Sequence, residues 1–184
     1  MNNILWEPSA DSRNGVRGFL IDLDYAIDIR RLKNSSALHR TGTLHYMAIN
    51  VLKAKPHNYI HDLESFLYIL VHLGICYDTD DKDRIIDRKE FLDPNINPVE
   101  RWLKGPYSQM ADAKTGSIND FEATLELFSP GMAKIMDLAS GVKEQIFTMG
   151  AVYRELPENA AEVYEGVFKC FDNYLGHEEI DLVN

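Results

Sequence analysis

Two cysteines, Cys76 and Cys170, are all the thiol in this 184-residue chain, and each lies in an apolar stretch of helical character. No disulfide framework follows from such a pair; both read as free, buried thiols. Basic charge is scarce as well, with Lys and Arg totalling 19 against 29 for Asp and Glu, a formal net charge of -10. A field of that sign repels phosphate backbones and anionic lipid, so nucleic acid and membrane surfaces are poor partners. Long apolar runs are missing too. The longest, Phe66 to Tyr77, falls short of the roughly 20 residues a bilayer demands and contains His72. Met1 to Trp6 lacks the basic start and long apolar stretch of a signal peptide, so an intracellular chain, cytoplasmic or nuclear, is expected. What remains is ordinary: 45% hydrophobic and 26% charged residues supply one core, and one domain is the default.

Asn3-Ile4-Leu5-Trp6 and Gly18-Phe19-Leu20-Ile21 are short apolar runs separated by Pro8, Asp11, Ser12, Asn14 and Gly15, which predicts a β-hairpin with an irregular loop. No other strands are expected. Residues 25 to 46 have few apolar positions and read as an exposed loop. From Asp62, taken as a helix cap, Leu63, Phe66, Leu67, Leu70 and Val71 recur at helical spacing, apolar on several sides, so this helix should run through the core. Further helices are expected at 83–92, 99–103, 120–127, 130–139 or slightly beyond, and 158–175, the last stopped by Gly176. The chain is thus mainly α with a small N-terminal β-hairpin.

Several residues invite chemistry that their surroundings do not support. His57 and His61 lie four apart, but Pro56 breaks a helix through both, and zinc needs three or four ligands. The acidic run Asp78 to Asp83 lacks the Gly and closing Glu of a calcium loop and reads as a solvated connection between helices. Asp22, ending the second strand, is of the type that holds a magnesium ion against phosphate oxygens, since a hard cation wants one or two carboxylates. Alone it reads rather as an Asp that caps a turn.

Order makes the signal specific. Nineteen residues after Asp22 comes Thr41-Gly42-Thr43-Leu44-His45-Tyr46-Met47-Ala48, and some ten residues beyond Asn50 comes His61-Asp62-Leu63-Glu64-Ser65. Together with Gly18 to Ala26, this wording resembles the fungal-type protein kinase family. Trp102 and Lys114 are similar to its pattern more loosely. The resemblance is dense from 3 to 75 and thin from 80 to 184. It implies a protein-kinase-like large (C-terminal) lobe with the small lobe absent, divided into residues 1–24, an activation segment over 25–50 and a helical body over 51–184. Asn3 and Asp22 would be the magnesium ligands. Thr41, Gly42, Thr43, Tyr46, Met47 and Ala48 would form the activation segment on which substrate docks. Asp24 stands where most kinases have Gly, and Asp62 and Ser65 would be structural, Asp62 bracing the catalytic loop. Ile49 and Asn50 depart from the family's Pro and Glu, and the ion pair made by that Glu is expected to be weakened or absent.

The same resemblance implies that the catalytic base lies before Met1, as do the Gly-rich loop and the strand lysine. Complete relatives would use ATP and magnesium to phosphorylate protein Ser or Thr; this chain alone is expected to bind neither and to be inactive. Its expected partners are a protein substrate or a chain carrying the small lobe, with self-association through a bare apolar surface. Two other readings stand beside this one, a non-catalytic kinase-like scaffold and a truncated gene product without a selected role. Ser35, Ser36 and Thr41, near Arg30, Arg31, Lys33 and Arg40, are either phosphorylation sites that order the loop or parts of a plain solvated loop.

Overall fold

The structure, a computed structural model, describes residues 4–8, 16–20, 43–80, 82, 84–88, 93, 95–155 and 160–181. The chain divides into two compact units, Met1–Ser35 and Ser36–Asn184. In the first, β1 (Ile4–Pro8) pairs antiparallel with β2 (Val16–Leu20), Ile4 opposite Leu20 and Pro8 opposite Val16. The hairpin expected from the sequence is therefore present. Pro8 sits at its end, where a missing N–H costs the ladder least.

The second unit is built around one buried helix. A 3-10 turn, Leu44–Tyr46, leads into α1 (Ile49–Leu52), and α2 (Tyr59–Cys76) follows. Leu63, Leu67, Tyr68, Val71 and Ile75 are buried along α2, on more than one face, as its apolar composition predicts. Its cap is not Asp62. The Asn58 side chain accepts from Ile60 N–H at 3.0 Å and its own N–H donates to His61 Nδ1 at 3.1 Å, so the helix begins at Tyr59 and Asp62 lies inside its first turn.

Beyond α2 come β3 (Tyr77–Thr79), β4 (Ile85–Asp87), α3 (Pro98–Arg101), α4 (Tyr107–Asn119) and α5 (Phe121–Leu125). A 3-10 stretch, Pro130–Ile135, then leads to α6 (Met136–Ile146), β5 (Phe147–Met149), β6 (Val152–Tyr153) and α7 (Ala160–Asp181). The β3–β4 and β5–β6 pairs are each two-stranded and antiparallel, so the hairpin is not the only sheet. Within the helix expected at 83–92, residues 85–87 form β4 instead, residues 83 and 89–92 lying outside the described residues, and the acidic run begins as a strand. Asp80 there accepts from Arg84 N–H and Lys82 N–H at 2.9 Å, which closes the turn between β3 and β4. Nor does Gly176 stop α7, which continues to Asp181. α6 packs against both α2 and α7. Cys76 is buried and Cys170 half-buried, neither in a disulfide. Among the described residues, no helix is long and apolar enough to cross a membrane.

Candidate functional site

Residues 43–50 cross the surface of α2 without a regular element long enough to hold them. Tyr46 N–H and Met47 N–H both donate to Thr43 O, at 2.9 and 3.1 Å, giving the 3-10 turn; Ala48 is then extended and α1 begins at Ile49. Met47, Ala48 and Ile49 are buried, whereas Thr43 is exposed and Leu44, His45 and Tyr46 are half-buried. The segment therefore anchors through its second half and presents its first.

Its carbonyls meet a buried amine. Lys114, on α4, donates from Nζ to Met47 O at 2.7 Å, His45 O at 2.8 Å and Leu44 O at 3.4 Å. Three acceptors use the three N–H groups of an ammonium. The same nitrogen stands 3.9 Å from the centre of the Tyr68 ring and 5.2 Å from that of Trp102, whose faces attract a cation. Trp102 is held in turn by its Nε1–H on Ser117 Oγ at 3.2 Å. Burial pulls Lys114 down to about 7, and the Glu64 carboxylate works in the opposite direction.

The segment's amides meet a buried carboxylate. Glu64, on α2, accepts from Ile49 N–H at 2.9 Å and Tyr68 Oη–H at 2.5 Å on one oxygen, and from Tyr153 Oη–H at 2.5 Å on the other. Tyr153 Oη also accepts from Asn50 N–H at 3.3 Å. Burial pushes the Glu64 carboxyl above its ordinary range, against the bonds from Tyr153, Tyr68 and Ile49 N–H and the charge of Lys114. Tyr68 is raised well above the usual phenol range by burial and by the same carboxylate. On the outer side, Tyr46 Oη and His72 Nδ1 are hydrogen-bonded at 2.9 Å, and His45 stacks on His72 with ring centres 5.5 Å apart.

Of the residues singled out in the sequence, Thr43, Tyr46, Met47 and Ala48 lie together in this segment. Asp62 is in the first turn of α2, where its carboxylate meets His57 Nε2 at 3.3 Å, and Ser65 Oγ–H donates to His61 O at 3.1 Å. Asn3, Asp22, Asp24, Thr41 and Gly42 lie outside the described residues, as do Ser35 and Ser36. His57 and His61 stack at 5.4 Å, with only His61 inside the helix. Among the described residues, no group of three His, Cys, Asp or Glu is placed to hold a metal ion. Glu64 and Tyr153 are not legible in the sequence as partners of the segment. The signal for Glu64 is a carboxylate on a helix that is otherwise apolar there, one turn before Tyr68.

Residues 1–75 match the family model of the fungal protein kinases. No curated protein and no solved structure matches the chain. The segment Thr43–Asn50 and most of α2 fall inside the matched stretch, while Lys114 and Tyr153, which hold the segment in place, come from beyond it. Over its first 75 residues, from the hairpin almost to the end of α2, this chain is similar to the fungal protein kinases.

Proposed function

We propose that the chain is the activation-segment and helical part of a protein-kinase large lobe, and that residues 43–48 form the surface on which a protein Ser or Thr substrate docks. The observation that carries this reading is a segment with the wording Thr43-x-x-Tyr46-Met47-Ala48, inside the family-matched stretch, fixed along its backbone by buried Lys114 and Glu64. A docking surface needs a path set in advance, because binding otherwise bears the cost of ordering it.

Asn3 and Asp22 supply an amide oxygen and a carboxylate, donors of the hard type that magnesium takes, and in a complete active site they would hold the ion that neutralises ATP phosphates. The segment itself offers a receiving surface and no general base. Phosphoryl transfer also needs groups over the nucleotide phosphates and a base at the substrate hydroxyl, so the 184 residues alone should be inactive.

Two titrations on the isotope-labelled 184-residue chain test this. With Ser- and Thr-containing peptides, the backbone amide signals of residues 43–50 should shift, and a peptide response elsewhere with none in this segment overturns the docking role. With Mg-ATP at micromolar concentration, calorimetry should register no binding. A measurable heat would mean that these residues form a nucleotide site by themselves.

A further inference from the structure

Resting on that docking role, we infer that Lys114 and Glu64 are positioning residues that grip the segment through its main chain alone, and that Glu64 depends on Ile49 not being proline. Every contact that the two buried charges make with the segment goes to a backbone group: three carbonyls for Lys114, the Ile49 N–H for Glu64. Asn50 is likewise held by its main chain, its N–H donating to Tyr153 Oη and its carbonyl accepting from Lys55 N–H at 2.9 Å. The bonds from Lys114 and Glu64 do not depend on side-chain identity at Leu44, His45 and Tyr46, although Tyr46 Oη and the His45 ring also meet His72. Changes there would leave the Lys114 and Glu64 bonds to the backbone in place.

Position 49 is the exception, because there the backbone donor itself is at stake. Ile49 opens α1, a first-turn position where proline is ordinarily welcome. Ala48 before it has φ -63 and ψ 151, the extended conformation that a following proline requires. Backbone geometry therefore admits proline in place of Ile49. Hydrogen bonding does not, since proline has no N–H and would leave a buried carboxylate oxygen short of a donor. In this chain a backbone donor at Ile49 and the buried Glu64 acceptor go together.

Amide hydrogen exchange on the full 184-residue chain separates a local grip from general stability. Lys114→Met should speed exchange at Tyr46, Met47 and Ile49 about tenfold or more, while amides in the middle of α2 and α6 change about twofold or less. Lys114→Arg, which keeps the charge but spreads it over a planar fork, should restore little of the protection. Ile49→Pro should open residues 46–50 as Lys114→Met does, whereas Ile49→Ala, which trims the same apolar side chain and keeps the N–H, should leave them protected. Equal loosening in Ile49→Ala and Ile49→Pro, or loss spread evenly through α2 and α6 in the Lys114 variants, overturns the inference. Should Lys114→Met fail to fold, the Ile49 pair still decides. Peptide binding is a separate readout: a segment that loosens as expected but never bound peptide would retire the docking role and leave the grip standing.

Discussion

His61 has two ring nitrogens in unlike settings. Nδ1 accepts the Asn58 N–H at 3.1 Å, and buried Nε2 has no hydrogen-bond partner. Accepting at Nδ1 requires that nitrogen to be unprotonated, so adding a proton breaks the cap of α2 as well as charging a buried ring. Burial and the nearby positive charges of His57 and Lys55 hold it down to about 4, against the pull of Asp62. Unfolded, the same imidazole takes its proton near 6.5. Because the folded value is the lower one, the stability His61 contributes is complete above pH 6.5 and is lost progressively between 6.5 and about 4. His57 is shifted upward by its hydrogen bond with Asp62, so its contribution is complete below 6.5 and lost at higher pH, outside this window. Glutamine at position 61 keeps an acceptor for the Asn58 N–H and does not titrate. Between pH 6.5 and about 4, His61→Gln should therefore lose on the order of 2 kcal/mol less than the wild type, allowing for solvent screening. Denaturant unfolding at a series of pH values measures this, and parallel acid limbs in the two proteins would show that His61 is not the group responsible.

Among the elements, α2 carries most of the information and most of the constraint. Gly74 lies on it where a Cβ would overlap the Phe128 ring, and Gly74 O accepts from Ser129 N–H at 2.8 Å, so the turn after α5 is pressed directly against the helix backbone. Alanine in a helix interior ordinarily gains about 1 kcal/mol over glycine. Here an aromatic ring flanked by that hydrogen bond has to move, and overpacking costs about 1–3 kcal/mol, so Gly74→Ala should be net destabilising. A raised thermal midpoint would contradict the packing. Helix α2 is readable in the sequence because its apolar positions follow a helical period; α4 is not, although it supplies Lys114. The buried set of α4 is Met110, Ala111, Lys114, Ser117 and Ile118, in which two polar residues interrupt the apolar stripe. At 85–87 the error goes the other way. Ile85 and Ile86 suggest a helix core, yet both are exposed on β4, whose pairing with β3 could be known only once the two met in space. Gly176 fails as a stop because its backbone does not turn left-handed, leaving a glycine that costs helix propensity without ending the helix.

On the scale of the whole molecule, the division into Met1–Ser35 and Ser36–Asn184 separates motif from mass. The family wording is concentrated in residues 1–75, which is why the kinship and the segment are legible in the sequence. The groups that fix the segment are not: Lys114 is 67 positions from Met47 and Tyr153 is 103 from Asn50, and they join it only through packing. Core formation follows mass. Among the described residues, the second unit's buried apolar side chains run from Met47 to Val167, and they include Trp102, Tyr68, Phe147 and the aliphatic side chains of α2 and α6. A two-stranded hairpin is marginal by itself in water, and chains below about 40 residues seldom fold alone. With a core of its own, the second unit is expected to fold cooperatively by itself. Deleting residues 1–35 should leave a chain with the helix content of α1 to α7 and one sharp thermal transition, read by far-ultraviolet circular dichroism. Amide protection at Met47 and Ile49 should also survive, since Lys114, Glu64 and Tyr153 all remain. If the shortened chain were to melt gradually or lose its helices, the second unit would need the first to fold, and the grip on the segment would have to be reassigned to the two units acting together.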